Sequence, residues 1–137
     1  MRQEILPISE LRKAMAVKAR RRGQDWNAIF ALQLHMAHIA GWEREYMPFK
    51  PRRFRVDFAW LVERLLVELH GGVWALGPQA HSWGTGIKRD HDKRDLAAAQ
   101  GWTLREFTGD EVRDFVALHW VQGYLDAWVA QRRGEGD

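Results

Sequence analysis

Arg55-Val56-Asp57-Phe58-Ala59-Trp60 and Leu65-Leu66-Val67-Glu68-Leu69-His70, joined by Leu61-Val62-Glu63-Arg64, decide the fold of this chain. Both runs alternate apolar and polar residues, the period-2 mark of half-buried strands. With Leu61–Arg64 as the turn, Trp60 pairs with Leu65, and Asp57 falls opposite Glu68. One face of this hairpin then carries Phe54, Val56, Phe58, Trp60, Leu65, Val67 and Leu69 and is a core face. The other carries Arg55, Asp57, Ala59, Leu66, Glu68 and His70. Directly opposed residues have Cβ atoms about 4.5–5.5 Å apart, a distance at which two carboxylates repel. A divalent cation would hold such a pair together, so the hairpin reads as the metal site of an enzyme. The other account of the same residues is two surface-facing strand acids, each matched to a nearby arginine.

Outward from the hairpin, punctuation residues divide the chain. Ser9 suits the N-cap of a helix from Glu10 to about Arg22, stopped by Gly23. Asp25 suits the cap of a second, through Trp26, Ile29, Phe30, Leu32, Leu34, Met36 and Ile39, stopped by Gly41. Glu45–Phe49 resembles a strand and leads through a Lys-Pro-Arg-Arg turn to the hairpin. Gly71 and Gly72 end the third strand, and the glycines and proline of Val73–Gly86 predict a loop. A helix from about Ile87 to Gln100 ends at Gly101, Trp102–Phe107 alternates as a strand, and a last helix runs from Asp110 to about Arg132. The expected order is α-α-β-β-β-α-β-α, an α/β fold.

At 137 residues, 46% of them hydrophobic, the chain has material for one core. It has no cysteine, which excludes disulfides, thiol catalysis and the common zinc-finger patterns. Met1–Pro7 lacks the apolar run of a signal peptide, and no stretch approaches the roughly 18–20 apolar residues of a membrane span. The expectation is a soluble, cytoplasmic protein with no membrane partner. A net charge of +3 is too small to imply a nucleic-acid partner by itself, but its distribution is uneven. Arg20, Arg21 and Arg22 crowd the N-terminal segment, Arg52, Arg53 and Arg55 precede Asp57, and Lys88 and Arg89 follow the second acid. Clustered bases of this kind suit a face that meets phosphates; a solvated helix face is the plainer account of the N-terminal cluster.

The hairpin residues, followed by Gly71-Gly72-Val73-Trp74, by Asp90-His91-Asp92-Lys93-Arg94-Asp95 and by Gly101-Trp102 with Leu104-Arg105-Glu106-Phe107-Thr108, resemble the PD-(D/E)XK nuclease superfamily. The nearest branch is that of compact proteins similar to very-short-patch-repair endonucleases, common in bacteria and phages. The resemblance runs from about Trp26 to Asp114. It implies a restriction-endonuclease-like core, a mixed four-stranded sheet flanked by helices. A nuclease domain over 25–137 would then carry a basic helical extension over 1–24. It further implies Mg²⁺, with Mn²⁺ as substitute, held by Asp57, Glu68 and the peptide oxygen of Leu69. Arg52, Arg53, Arg55, Lys88, Arg89 and Arg20–Arg22 would contact DNA.

Two departures from the motif stand out. Val56 replaces its proline, and His70 replaces its lysine. A histidine can accept a proton but offers no permanent charge. His70 either fills part of the lysine's role or orients a ligand carboxylate, and Lys93 on the following helix is the best replacement base, otherwise a solvated helix lysine. The glutamate that many relatives supply from the first core helix is missing: Gln33 and His35 are the polar interior positions there, with Glu43 and Glu45 just after. The third ligand and the number of ions stay open. His35 and His38 could form half a zinc site, but no further ligands at suitable spacing complete it. The expected activity is DNA endonuclease, structure-selective as a junction resolvase or a mismatch-nicking repair enzyme. The alternatives are a non-catalytic DNA-binding module with a decayed site and a protein-interaction domain. Neutralising Z phosphates makes duplex-DNA affinity fall with salt at a log–log slope of roughly −0.9Z. Replacing Arg20, Arg21 and Arg22 together should make that slope shallower in salt-dependent binding assays, and an unchanged slope returns them to a solvated helix.

Overall fold

The computed structural model describes residues 24–70 and 92–135. The predicted helix Glu10–Arg22, the loop Val73–Gly86, and Arg20, Arg21, Arg22, Lys88 and Arg89 lie outside the described residues. The chain forms two compact units, one of residues up to Ala40 together with those from Gly109 onward, the other Gly41–Thr108.

The second unit is built on a four-stranded sheet in the order β1-β2-β3-β4, with β1 Trp42–Tyr46, β2 Val56–Trp60, β3 Leu65–His70 and β4 Thr103–Thr108. β1 pairs antiparallel with β2, and β2 with β3 in the expected register, Trp60 against Leu65 and Phe58 against Val67. β4 joins β3 in parallel. Parallel neighbours need a crossover, usually a helix, and α2, described over 92–99, lies on that connection. The sheet is therefore mixed. β1 begins earlier than Glu45–Phe49 would have it, because the partner of Trp60 is Trp42.

The hairpin is not half-buried as its alternation suggests. Ala59 and Leu66, on the acid-bearing face, are as fully buried as Phe58, Trp60, Leu65 and Val67 on the other. The reason is α2: Ala97 packs into one cluster with Ala59, Leu66, Phe49 and Trp102, so this face has a core of its own near the turn, and Val56, expected on the other face, belongs to the same cluster. The helix stops by geometry at Gly101, whose φ of 77° is left-handed. The Trp102 amide returns to the Ala97 carbonyl at 2.8 Å and the Gly101 amide to Ala98 at 3.3 Å, the paired bonds of a glycine-terminated helix. Trp102 and Ala97 meet in the cluster just named, which locks the stop to the core.

In the other unit, Asp25 caps α1 (Trp26–Met36) by accepting from the Ala28 amide at 3.1 Å. α1 ends before Gly41, at His38, which takes a φ of 59° while the Ile39 amide returns to the Leu34 carbonyl at 2.9 Å. Burial of both Leu34 and Ile39 favours this earlier stop. The expected single C-terminal helix is two, α3 (Gly109–Arg113) and α4 (Val116–Glu135). Phe115 between them has a φ of 63°, costly for a bulky residue, and its ring is 2% exposed. Burying that ring outweighs continuing the helix. Along α4, Leu118 and Val121 are buried, but Leu125 and Trp128 are only half-buried. Gln33 is buried too, donating from Nε2 to the Val112 carbonyl at 2.9 Å, a structural tie between α1 and α3. Among the described residues no helix is long and apolar enough to cross a membrane.

No atom beyond its chain neighbours lies within 4 Å of where a β-carbon on Gly101 would sit, so a substitution there tests backbone conformation alone. Gly101→Ala should lower the unfolding free energy by about 1–2 kcal/mol in urea titration, and Gly101→Asn by less.

Candidate metal centre

One end of the sheet is polar on the face that α2 covers. Leu66 stands beside Leu104, Glu68 beside Glu106 and His70 beside Thr108 across the parallel pair. Leu66, Glu68 and His70 follow one another along one face of β3, about 6.6 Å apart at each step. Ala97 and Lys93 follow one another along one face of α2, about 6 Å apart. These repeats nearly match. Since Ala97 and Leu66 belong to one buried cluster, the helix running back against β3 brings Lys93 to Glu68. Lys93 Nζ donates to Glu68 Oε1 at 2.5 Å and to the Arg55 carbonyl at 3.3 Å. The neighbouring base Arg94 donates to Glu106 Oε2 at 3.0 Å.

Glu68 is the most deeply buried acid described, at 4% exposure. Burial pushes its carboxyl above the ordinary range; the bond and charge of Lys93 and the charge of His70 pull the other way, and the nearby Asp57 adds to the rise. Asp57 continues the β2–β3 register to stand level with Glu68, and its Oδ2 accepts from the Leu69 amide at 2.7 Å. His70 Nε2 lies 3.7 Å from Glu68 Oε2 and 3.3 Å from Glu106 Oε2. The His70 imidazole is the main cause holding the Glu106 carboxyl down to about 2; partial burial opposes it and Arg94 assists.

Of the residues marked out in the sequence, Asp57, Glu68, Leu69, His70 and Lys93 come together. Arg52, Arg53 and Arg55 sit exposed on the segment entering β2. Arg52 reaches Asp92 Oδ2 at 3.5 Å and lies over the Phe54 ring at 4.6 Å. His35 and His38 are exposed, as are Glu43 and Glu45, and none of the four belongs to a ligand group among the described residues. Glu106, not expected at the site, joins them, and so does Arg94, which the sequence marks only as one of the bases following the second acid. The alternation of β4 places Glu106 on the face of Leu104, yet only the parallel register sets it beside Glu68. Glu68, His70 and Glu106 each offer a donor atom, all within 4.8 Å of one another. Two carboxylates and an imidazole are donors that fit a divalent metal ion. Compared with known proteins, the chain matches no family model, no curated protein and no solved structure.

A carboxyl whose folded pKa lies below its unfolded value of 4.5 adds stability above that value and loses it as the pH falls toward about 2. Glu106→Gln should therefore unfold at lower urea than the parent at pH 7, by about 1–3 kcal/mol. The gap should narrow steadily below pH 4.5. A gap independent of pH would mean that the ionised form of Glu106 is not what His70 and Arg94 stabilise.

Proposed function

We propose that this protein is a metal-dependent DNA endonuclease that hydrolyses phosphodiester bonds, of the PD-(D/E)XK type. The observation that carries the reading is the contact of Lys93 with Glu68, beside Asp57. The base that the motif would place at His70 is supplied from the following helix to the same carboxylate. Asp57, Glu68 and the Leu69 peptide oxygen would hold the metal, with the Leu69 amide fixing the orientation of Asp57. Bound Mg²⁺, or Mn²⁺ in its place, supplies Lewis-acid polarisation of the phosphodiester and a water of lowered pKa. Lys93 orients Glu68 and keeps a permanent positive charge beside the reacting phosphate. Arg52, Arg53 and Arg55, exposed just ahead of Asp57, give the DNA backbone a cationic approach.

The form of cutting we propose is structure-selective, of junctions or mismatches. A homodimer through the exposed Val116 and the half-buried, stacked Trp120 and Tyr124 would present two such sites to a four-way junction. The competing reading, a DNA-binding module with a decayed site, draws its support from His70 in place of lysine. Linear, nicked, mismatched and four-way DNA incubated with Mg²⁺ or Mn²⁺ separates the two. Divalent-dependent cleavage is expected from the parent. Asp57→Ala and Glu68→Ala should abolish it while binding DNA as well or more tightly, since repulsion between carboxylate and phosphate is relieved. Cleavage at the parental rate in either variant would place the metal elsewhere, and binding without cleavage by the parent would favour the decayed module.

A further inference from the structure

Glu106 has no part in the mechanism just derived, yet it sits where a ligand would. Its in-register partner is Glu68, and two ionised carboxylates side by side on strands about 4.8 Å apart repel unless a cation stands between them. Lys93 answers Glu68 from one side, at Oε1, and Arg94 answers Glu106. Between the acids, facing Glu68 Oε2, is the Nε2 of His70. We infer that Glu68, His70 and Glu106 form a binding site for a borderline transition-metal dication of the Mn²⁺, Co²⁺ or Zn²⁺ class. It is separate from the Asp57 locus and shares only Glu68 with it. The role of this ion rests on the endonuclease reading; its binding does not.

Three features carry the inference. The first is spacing: bonds of about 2.0–2.2 Å put adjacent donors about 3.0–3.5 Å apart. The observed separations, 3.3 Å and 3.7 Å from His70 Nε2, need only a few tenths of an ångström of adjustment. The second is donor chemistry. Mg²⁺ takes hard oxygen and keeps several waters, whereas an imidazole nitrogen favours the transition ions. Replacing the motif's lysine by His70 thus removes a fixed positive charge and installs a metal donor. The third is support. All three donors stand on paired strands, not loops, and Glu68 is held through its other oxygen, Oε1, by an outer hydrogen bond from Lys93, as ligating carboxylates commonly are. Three protein donors leave positions open for water or a phosphate oxygen. Arg94, with its side chain 56% exposed, meets Glu106 at Oε2, the oxygen that also faces His70, so an ion at that oxygen would compete with its bond.

The whole 137-residue chain titrated with CoCl₂, followed by visible absorption, tests this directly. The parent should take up Co²⁺ with a spectrum of mixed nitrogen and oxygen ligation, and a large excess of Mg²⁺ should not displace it. Glu106→Gln and His70→Asn should each weaken Co²⁺ by about tenfold or more, while Asp57→Asn retains the spectrum. In the parent, Zn²⁺ should shift the ring-nitrogen resonances of His70, a readout that needs no variant. No Co²⁺ uptake and an unmoved His70 resonance would overturn the site, leaving an imidazole bridging two carboxylates. Equal displacement by Mg²⁺ would overturn its selectivity. Co²⁺ bound at His70 by a protein that cuts no DNA would remove the endonuclease reading and keep the site. Mg²⁺-dependent cleavage without Co²⁺ uptake would do the reverse.

Discussion

A carboxylate as buried as Glu68 stays charged only if the fold supplies a partner, because an unpaired ion out of water costs several kcal/mol. Lys93 is that partner, and its delivery sets much of the surrounding geometry. The lysine stem is itself mostly buried, with 13% of its side chain exposed, and passes beside the Phe54 ring. For the two charges to meet, α2 must run back along β3 with Ala97 in the cluster that holds Leu66, and β4 then enters in parallel. A pair held this way is not a cheap source of stability, since desolvation offsets most of its attraction.

The polar groups gather where the parallel strands β3 and β4 end, the end of an open α/β sheet at which ligands ordinarily bind. Toward the hairpin turn both faces are sealed by apolar side chains; away from it the face that carries Asp57, Glu68 and Glu106 turns acidic. Three acids, Asp57, Glu68 and Glu106, share this end with two permanent cations, Lys93 and Arg94, and with His70. The balance leaves room for added positive charge among the acids. The exposed arginines ahead of β2 offer an anion a landing place next to them. Nothing else among the described residues gathers comparable chemistry, which is why the proposed endonuclease reading is placed here.

Local rules read this chain well wherever the deciding contacts are near in sequence. The Leu61–Arg64 turn and the Trp60–Leu65 pair follow from alternation, because a hairpin register is set by its own turn. Asp25 as a cap and Gly101 as a stop follow from the backbone groups they satisfy. The same rules miss the break at Phe115 and the early end of α1 at His38. Both residues take left-handed conformations that their own preferences oppose, and tertiary burial at or beside them overrules those preferences.

The sequence by itself determined that Asp57, Glu68 and His70 share one face of a hairpin, since the two-residue period of a strand admits no other arrangement. It also marked Lys93 as a base able to reach them, without saying that it does. Only the tertiary structure decided that Lys93 meets Glu68 and that Glu106 stands beside it. Those neighbours come from a parallel pairing across the Leu65–Thr108 span, whose offset no local pattern encodes, because the connecting helix can slide along the sheet without changing any periodicity. Packing of Ala97 and Trp102 against Ala59 and Leu66 removes that freedom, and with it the choice of which acids become neighbours.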